Sequence, residues 1–204
     1  MSASASPTAR LSREVIIEAA LRVTGRDGFD RLTMRSLATE LGVTPMAIYY
    51  HVPDKDALVS LVVAEVYSSL SPLRLGEDGW EEPLRRYLLS EWEQLARYPG
   101  LGAYLLNQPS LGTTPGSIAR GVAFFEAAGF PPRTARLAWS FAMTYLHGRL
   151  SVDARSRGTG SQIVKVAGIR SKDYVDFGVE TLVAGLKVML DEAGREDVRG
   201  RGRS

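Results

Sequence analysis

The sequence predicts an all-α chain. Three observations lead there. Apolar residues recur at steps of three or four over most of the 204 residues, helix start and stop residues punctuate those runs, and no strand-like alternation of useful length interrupts them. Hydrophobic residues make up 45% and charged residues 24%, an ordinary balance for a globular protein able to bury a sizeable core.

Residues 1–10 are polar and read as a disordered tail; they lack the apolar stretch of a secretory signal. Ser12 can cap a first helix whose inward stripe is Ile16, Ala19, Ala20 and Val23, and Gly28 ends it. Thr33 can cap a second helix with Leu37, Ala38 and Leu41 on one face. Gly42 then stands where a left-handed residue stops a helix without a side-chain penalty. Thr44 can cap a third, and Pro45 falls at its first position, where a missing amide costs nothing. Val43 and Ile48 supply apolar contacts beneath, and the small Ala38 lets the two helices approach. Two short helices about a glycine turn form a helix-turn-helix unit, which sets its second helix in the major groove of DNA.

Asp54 can cap a fourth helix reaching about Leu70, and Pro72 with Gly76 and Gly79 breaks the pattern. The expected division is a DNA-binding domain over 11–56, then a connecting helix and a helical domain over 57–194. In that second part Trp80, Leu84, Leu88, Trp92 and Leu95 mark an amphipathic helix ending before Pro99, and 101–107 a short one. Thr114-Pro115 opens another helix, which Ala128-Gly129 closes around Val122, Phe124 and Phe125. The helix expected over 133–149 is apolar on most sides, as a helix buried from several directions would be. Ser171 can cap a last helix over 172–193, with Phe177, Leu182, Leu186 and Met189 inward. The Gly-, Ser- and Arg-rich segment 151–170 exceeds the roughly 2–8 residues usual between bundle helices and reads as a mobile loop. Residues 195–204 are Gly/Arg-rich and read as a second disordered tail.

Composition excludes several classes. Without cysteine there is no disulfide framework, thiolate zinc site or cysteine nucleophile. His51 and His147 are the only histidines, no Gly-x-Ser-x-Gly occurs, and Gly158-Thr-Gly160 lacks a complete nucleotide-loop pattern. No catalytic residue, metal ligand or cofactor is assigned, and the chain is not read as an enzyme. The apolar run 58–63 is too short to span a bilayer, so a cytoplasmic protein without a membrane partner is expected. Charge alone does not establish DNA binding. The net excess is +2, and over residues 1–56 seven basic residues meet seven acidic ones, so only their placement on different faces could serve DNA.

The order Arg26-Asp27-Gly28-Phe29, Leu32-Thr33-Met34-Arg35, Leu37-Ala38, Leu41-Gly42-Val43, Ile48-Tyr49-Tyr50-His51-Val52 and Asp54-Lys55-Asp56-Ala57-Leu58 resembles the N-terminal domain of the TetR family of bacterial transcriptional regulators. The likeness covers about the first third of the chain. It implies an all-helical homodimer: an N-terminal three-helix helix-turn-helix DNA-binding domain, then a C-terminal helical ligand-binding and dimerisation domain. A small molecule bound in the second domain would release double-stranded operator DNA from the first.

The first turn of the third helix should face base edges, and the resemblance implies that Thr44, Met46, Ala47, Tyr49, Tyr50 and His51 approach DNA. Met46 and Ala47 suit a thymine methyl, Pro45 opens the helix, and Thr33, Arg35 and Lys55 fit phosphates. Either tyrosine could instead be a packing residue, and His51 a helix-end cap. The effector is unidentified. Candidate lining residues are Trp92, Tyr104, Asn107, Phe124, Phe125, Trp139, Met143, Tyr145 and His147, set against the plainer reading that aromatics at helical spacing form core. His147 and Asn107 are the more telling, because a polar group on an apolar helix needs a partner. Gly178 and Gly185 could let a partner helix approach the last helix, flanked by Leu182 and Met189. The alternative function is a helical small-molecule or protein-binding module without DNA binding.

Overall fold

The computed structural model describes residues 11–77, 79–107, 115–159 and 169–201. Among them the regular structure is helical: α1 (Arg13–Asp27), a 3₁₀ turn (Phe29–Arg31), α2 (Met34–Leu41), α3 (Pro45–Tyr49), α4 (Lys55–Ser68), α5 (Glu81–Leu95), α6 (Leu101–Asn107), α7 (Pro115–Ala127), α8 (Pro132–Thr159) and α9 (Ser171–Arg201).

The first four helices begin where their capping side chains stand. Ser12 Oγ accepts the Val15 amide at 3.3 Å, and Asp54 Oδ1 accepts that of Ala57 at 2.7 Å. Thr33 and Ser36 exchange two bonds, amide to hydroxyl in each direction at 3.0 and 2.9 Å, which satisfies two orphan donors of α2. Gly42 ends α2 at φ 65°, ψ 31°, and its amide reaches back to Ala38 and Thr39. A side chain there would meet nothing within 4 Å, so the backbone angle and not space demands glycine.

Two apolar cores result. The first joins Ile16, Ala20 and Val23 of α1, Leu37 of α2, Ile48 of α3 and Leu58, Val62 and Val66 of α4 to Leu95, Leu101, Leu105 and Leu150. It therefore does not stop near residue 56: α6 and the far part of α8 close the floor of the three-helix unit. The second core gathers Trp80, Leu84, Leu88, Phe125, Phe130, Trp139, Leu146, Val179 and Leu186 from α5, α7, α8 and α9. Trp92 packs against both.

Several expectations are corrected. The segment 151–170 is not a loop from its start, because α8 continues to Thr159, and 160–168 lie outside the described residues. Asp153 explains the extension: it pairs with Arg149 one turn earlier and accepts from the Ser171 hydroxyl, pinning α8 to the start of α9. Ser171 is thus the first residue of α9 rather than its cap. Helix α9 runs on to Arg201, so 195–201 are helical, while 202–204 and the tail 1–10 lie outside the described residues. On α5 the buried positions are Leu84, Leu88, Glu91 and Leu95; the fourth member of the stripe is a carboxylate, and Trp92 is only half-buried. On α9 Phe177 and Met189 face outward, and Val175, Val179 and Val183 take the inward places.

Candidate functional site

Helix α3 is held from below and left open above. Ile48 is buried in the first core, and Thr44 caps the helix by accepting the Ala47 amide at 3.4 Å. Around that anchor Thr44, Pro45 and Tyr49 are exposed, Met46 is 65% exposed, and Tyr50 reaches 85%; Ala47 and His51 are half-buried. Val52, next in the chain, is fully buried and seats the segment that carries His51. Neither tyrosine is a core residue. The helix and the Tyr50 that caps it thus present two phenols and a thioether to solvent. An isolated helix so short would not persist in water, so the first core is what makes this surface stiff.

Two of the acidic residues at this end are paired with arginines. Glu40 is held by Arg22 at 3.4 Å and by Arg26 at 3.0 Å, and Asp27 by Arg26 at 2.8 Å. Arg26 first, then Arg22, holds the Glu40 carboxyl below the usual carboxylate range, and Arg26 does the same for Asp27. These acids are matched by α1 arginines, whereas Arg35 and Lys55 form no ion pair among the described residues and are exposed. Thr33 and Arg35 share one shallow concavity with Ser36, Arg31, Asp27 and Asp30.

The nine residues named for a ligand cavity do not gather in one place. Phe124, Phe125 and Trp139 lie in the second core with Trp80 and Phe130, their ring centroids 5.2–5.5 Å apart along the chain Trp80–Phe130–Phe125–Phe124. Met143 packs on that core, and Tyr87 adds its ring 6.1 Å from that of Trp139. Tyr104 goes elsewhere, stacking 4.8 Å from Phe29 on the first core. Asn107 satisfies its amide on its own helix, donating to the Ala103 carbonyl at 2.8 Å, and is exposed. Tyr145 turns toward α9, where its hydroxyl donates to the Tyr174 carbonyl at 2.5 Å.

His147 finds the partner its position demanded, in a cluster the sequence reading missed. The Tyr67 hydroxyl of α4 donates to Glu91 Oε1 of α5 at 2.8 Å, and His147 Nε2 of α8 lies 3.3 Å from both oxygens. Glu91 is 0% exposed and its Oε2 has no hydrogen-bond partner among the described residues; the same holds for the Trp92 Nε1 donor. Burial first, and then the Glu91 carboxylate, push the phenols of Tyr67 and Tyr87 well above their ordinary range. The signal was present: Glu91 occupies a stripe position between Leu88 and Leu95, where a carboxylate cannot go unpaired.

An apolar groove of about 650 Å³ runs along the outside of α8 and α9. Leu137, Phe141, Phe177, Leu182, Gly185 and Met189 line it, with Phe177 73% and Phe141 62% exposed. Gly178 also lines it, but its role is internal: a Cβ there would fall 1.9 Å from the Tyr145 hydroxyl, so glycine makes room for a ring of its own chain. Nothing lies within 4 Å of a Cβ on Gly185, which leaves that position open to a partner. Leu182 is nearly buried in its own core, so it contributes an edge only.

Residues 16–62 match the model of the bacterial regulatory proteins, tetR family. The tetracycline repressor protein class D of Escherichia coli is 37% identical over 92 residues, covering 44% of this chain and 42% of that protein. The chain thus spans well under half the length of the first curated relatives it matches, 41% and 42%. Whole-chain likeness comes from structures. The TetR family protein ActR of Streptomyces coelicolor, solved with actinorhodin, superposes with a TM-score of 0.73 at 21% identity, over 89% of this chain and 99% of that one. BioQ, solved with its double-stranded DNA operator, gives 0.65 at 23% identity, over 87% and 98%. Among the described residues no helix is long and apolar enough to cross a membrane.

Proposed function

We propose that this chain is a regulator of the TetR family, whose model its residues 16–62 match, and that it is a ligand-responsive transcriptional repressor released from a palindromic operator by a small molecule. The observation that carries this reading is α3: a five-residue helix, opened by Thr44 and Pro45 and seated on Ile48, whose Met46, Tyr49 and Tyr50 face outward. Its first turn meets base edges, with Met46 and Ala47 against thymine methyls and the phenols and His51 toward the backbone. Thr33, Arg35 and Lys55 hold phosphates and set register without naming a sequence. BioQ carries its operator in a structure of this fold, which supports the assignment.

Two copies act together. The groove on α8 and α9 meets its own counterpart across a two-fold axis, an arrangement in which one apolar patch covers another. That frame sets two α3 helices about one DNA turn apart, roughly 34–36 Å. Helix α4 has its first residues in the DNA-reading unit and Tyr67 against α5 and α8, so a change in the second core moves the first. An effector lodged among Phe124, Phe125, Trp139 and Met143 favours a conformer with a different spacing; ActR, a protein of this fold, is solved in complex with actinorhodin. A 10–100-fold drop in operator affinity needs only about 1.4–2.8 kcal/mol of coupling. Selection of bound fragments from genomic DNA tests the reading. An inverted repeat with half-sites one turn apart is expected; fragments without shared sequence would reject it.

A further inference from the structure

The buried Glu91 carries one of the two buried side-chain polar atoms without a hydrogen-bond partner among the described residues. Its Oε1 accepts Tyr67 and lies within reach of His147, while Oε2 has no partner among the described residues, and the whole side chain is 0% exposed. Ionisation does not settle the matter. An ionised carboxylate leaves a buried charge half-paired; a protonated one leaves a donor or an acceptor unused. Tyr67 is a neutral donor, and His147 adds charge only when protonated. Arg120 of α7, which acts on Tyr87, is itself exposed. Tyr67 and Tyr87 bear directly on the carboxylate, and the Tyr87 ring lies 6.1 Å from that of Trp139.

We propose that Glu91 is the polar anchor of the effector site and takes the ammonium group of an aromatic amine, with Oε2 accepting its N–H and the neighbouring rings receiving the apolar frame. The proposal rests on the effector reading above and adds the ligand class. An ammonium supplies the charge and the donor that the buried carboxylate lacks, which a neutral hydroxyl does only by half. Rings next to the carboxylate favour a cation over their faces as well. Because the same carboxylate holds Tyr67 of α4 through Oε1, the occupied anchor lies one hydrogen bond from the helix that carries the DNA-reading unit.

The test uses the full chain and matched probes: naphthylmethylamine and anthracenylmethylamine, each against the corresponding alcohol, by titration calorimetry and by operator gel-shift. Each amine is expected to bind about tenfold or more tightly than its alcohol. In Glu91→Gln, which keeps volume and removes charge, that preference should vanish, with amine affinity falling to that of the alcohol. Equal affinity within each pair, absence of binding by all four, or an undiminished preference in Glu91→Gln overturns the anchor. If the variant does not fold, the amine–alcohol comparison on the unsubstituted chain decides by itself. Amine preference without operator release would keep the anchor and reject the effector reading; release by probes of both kinds without preference would do the reverse.

Discussion

Both ends of the molecule expose large apolar side chains, and they do so in different ways. At α3, Met46, Tyr49 and the capping Tyr50 stand among threonine hydroxyls and exposed Arg35 and Lys55. On α8 and α9, Leu137, Phe141, Phe177 and Met189 line one continuous apolar groove of about 650 Å³. Aromatics interleaved with donors suit a charged, grooved polymer that offers methyls and phosphates. A continuous apolar face of that extent is costly in water and suits another protein surface, here a second copy. Exposure alone would not tell them apart; the polar groups between the apolar ones do.

The contrast is most easily broken at the groove. Phe177→Asp combined with Phe141→Asp should give monomers by sedimentation. Operator affinity should then fall toward the nonspecific level, on the order of 10³-fold, although α3 is untouched. These positions are cleaner probes than Leu182, whose loss would also damage its own core. A dimer surviving both charges would reassign the groove.

Gly42→Val comes next and acts on the other end. The left-handed backbone at φ 65° should cost about 1–2 kcal/mol and tilt α3, lowering operator affinity about 10- to 100-fold with the dimer intact. Gel-shift beside size-exclusion data checks it. Replacing Tyr49 and His51 together by alanine should weaken operator binding about tenfold, while the melting temperature and probe binding hold. Parallel loss of DNA and probe affinity, measured by anisotropy and calorimetry, would count against separate surfaces. The smallest effect is expected at the joint between the two regions. Tyr67→Phe removes the hydroxyl held by Glu91 at 2.8 Å and should cost about 1 kcal/mol, a fall of roughly 2–4 °C on melting. Ligand-free operator affinity should stay unchanged in that variant, whereas release by an effector should be blunted.

Legibility in the sequence follows the range of the interactions. Thr33, Gly42, Thr44, Pro45 and Asp54 act on amides and angles within about four residues, so the first four helices and the turn between α2 and α3 could be read directly. Glu91, His147 and Tyr67 could not be joined that way, because 24 and 80 residues of chain separate Tyr67 from its two partners. Phe177 and Met189 were misplaced for a related reason. An apolar residue on a helix announces that it will be covered, and periodicity does not say whether its own chain or another does the covering.

Determined by the amino-acid order alone were the helical class and the capped α2–turn–α3 unit, since each rests on local backbone chemistry. Only the folded chain decided the partition of the aromatics into two cores, the continuation of α8 to Thr159 and the burial of Glu91 beneath Tyr67 and His147. Those depend on which faces meet across long stretches of chain, and there packing and the need to satisfy buried polar groups select the arrangement.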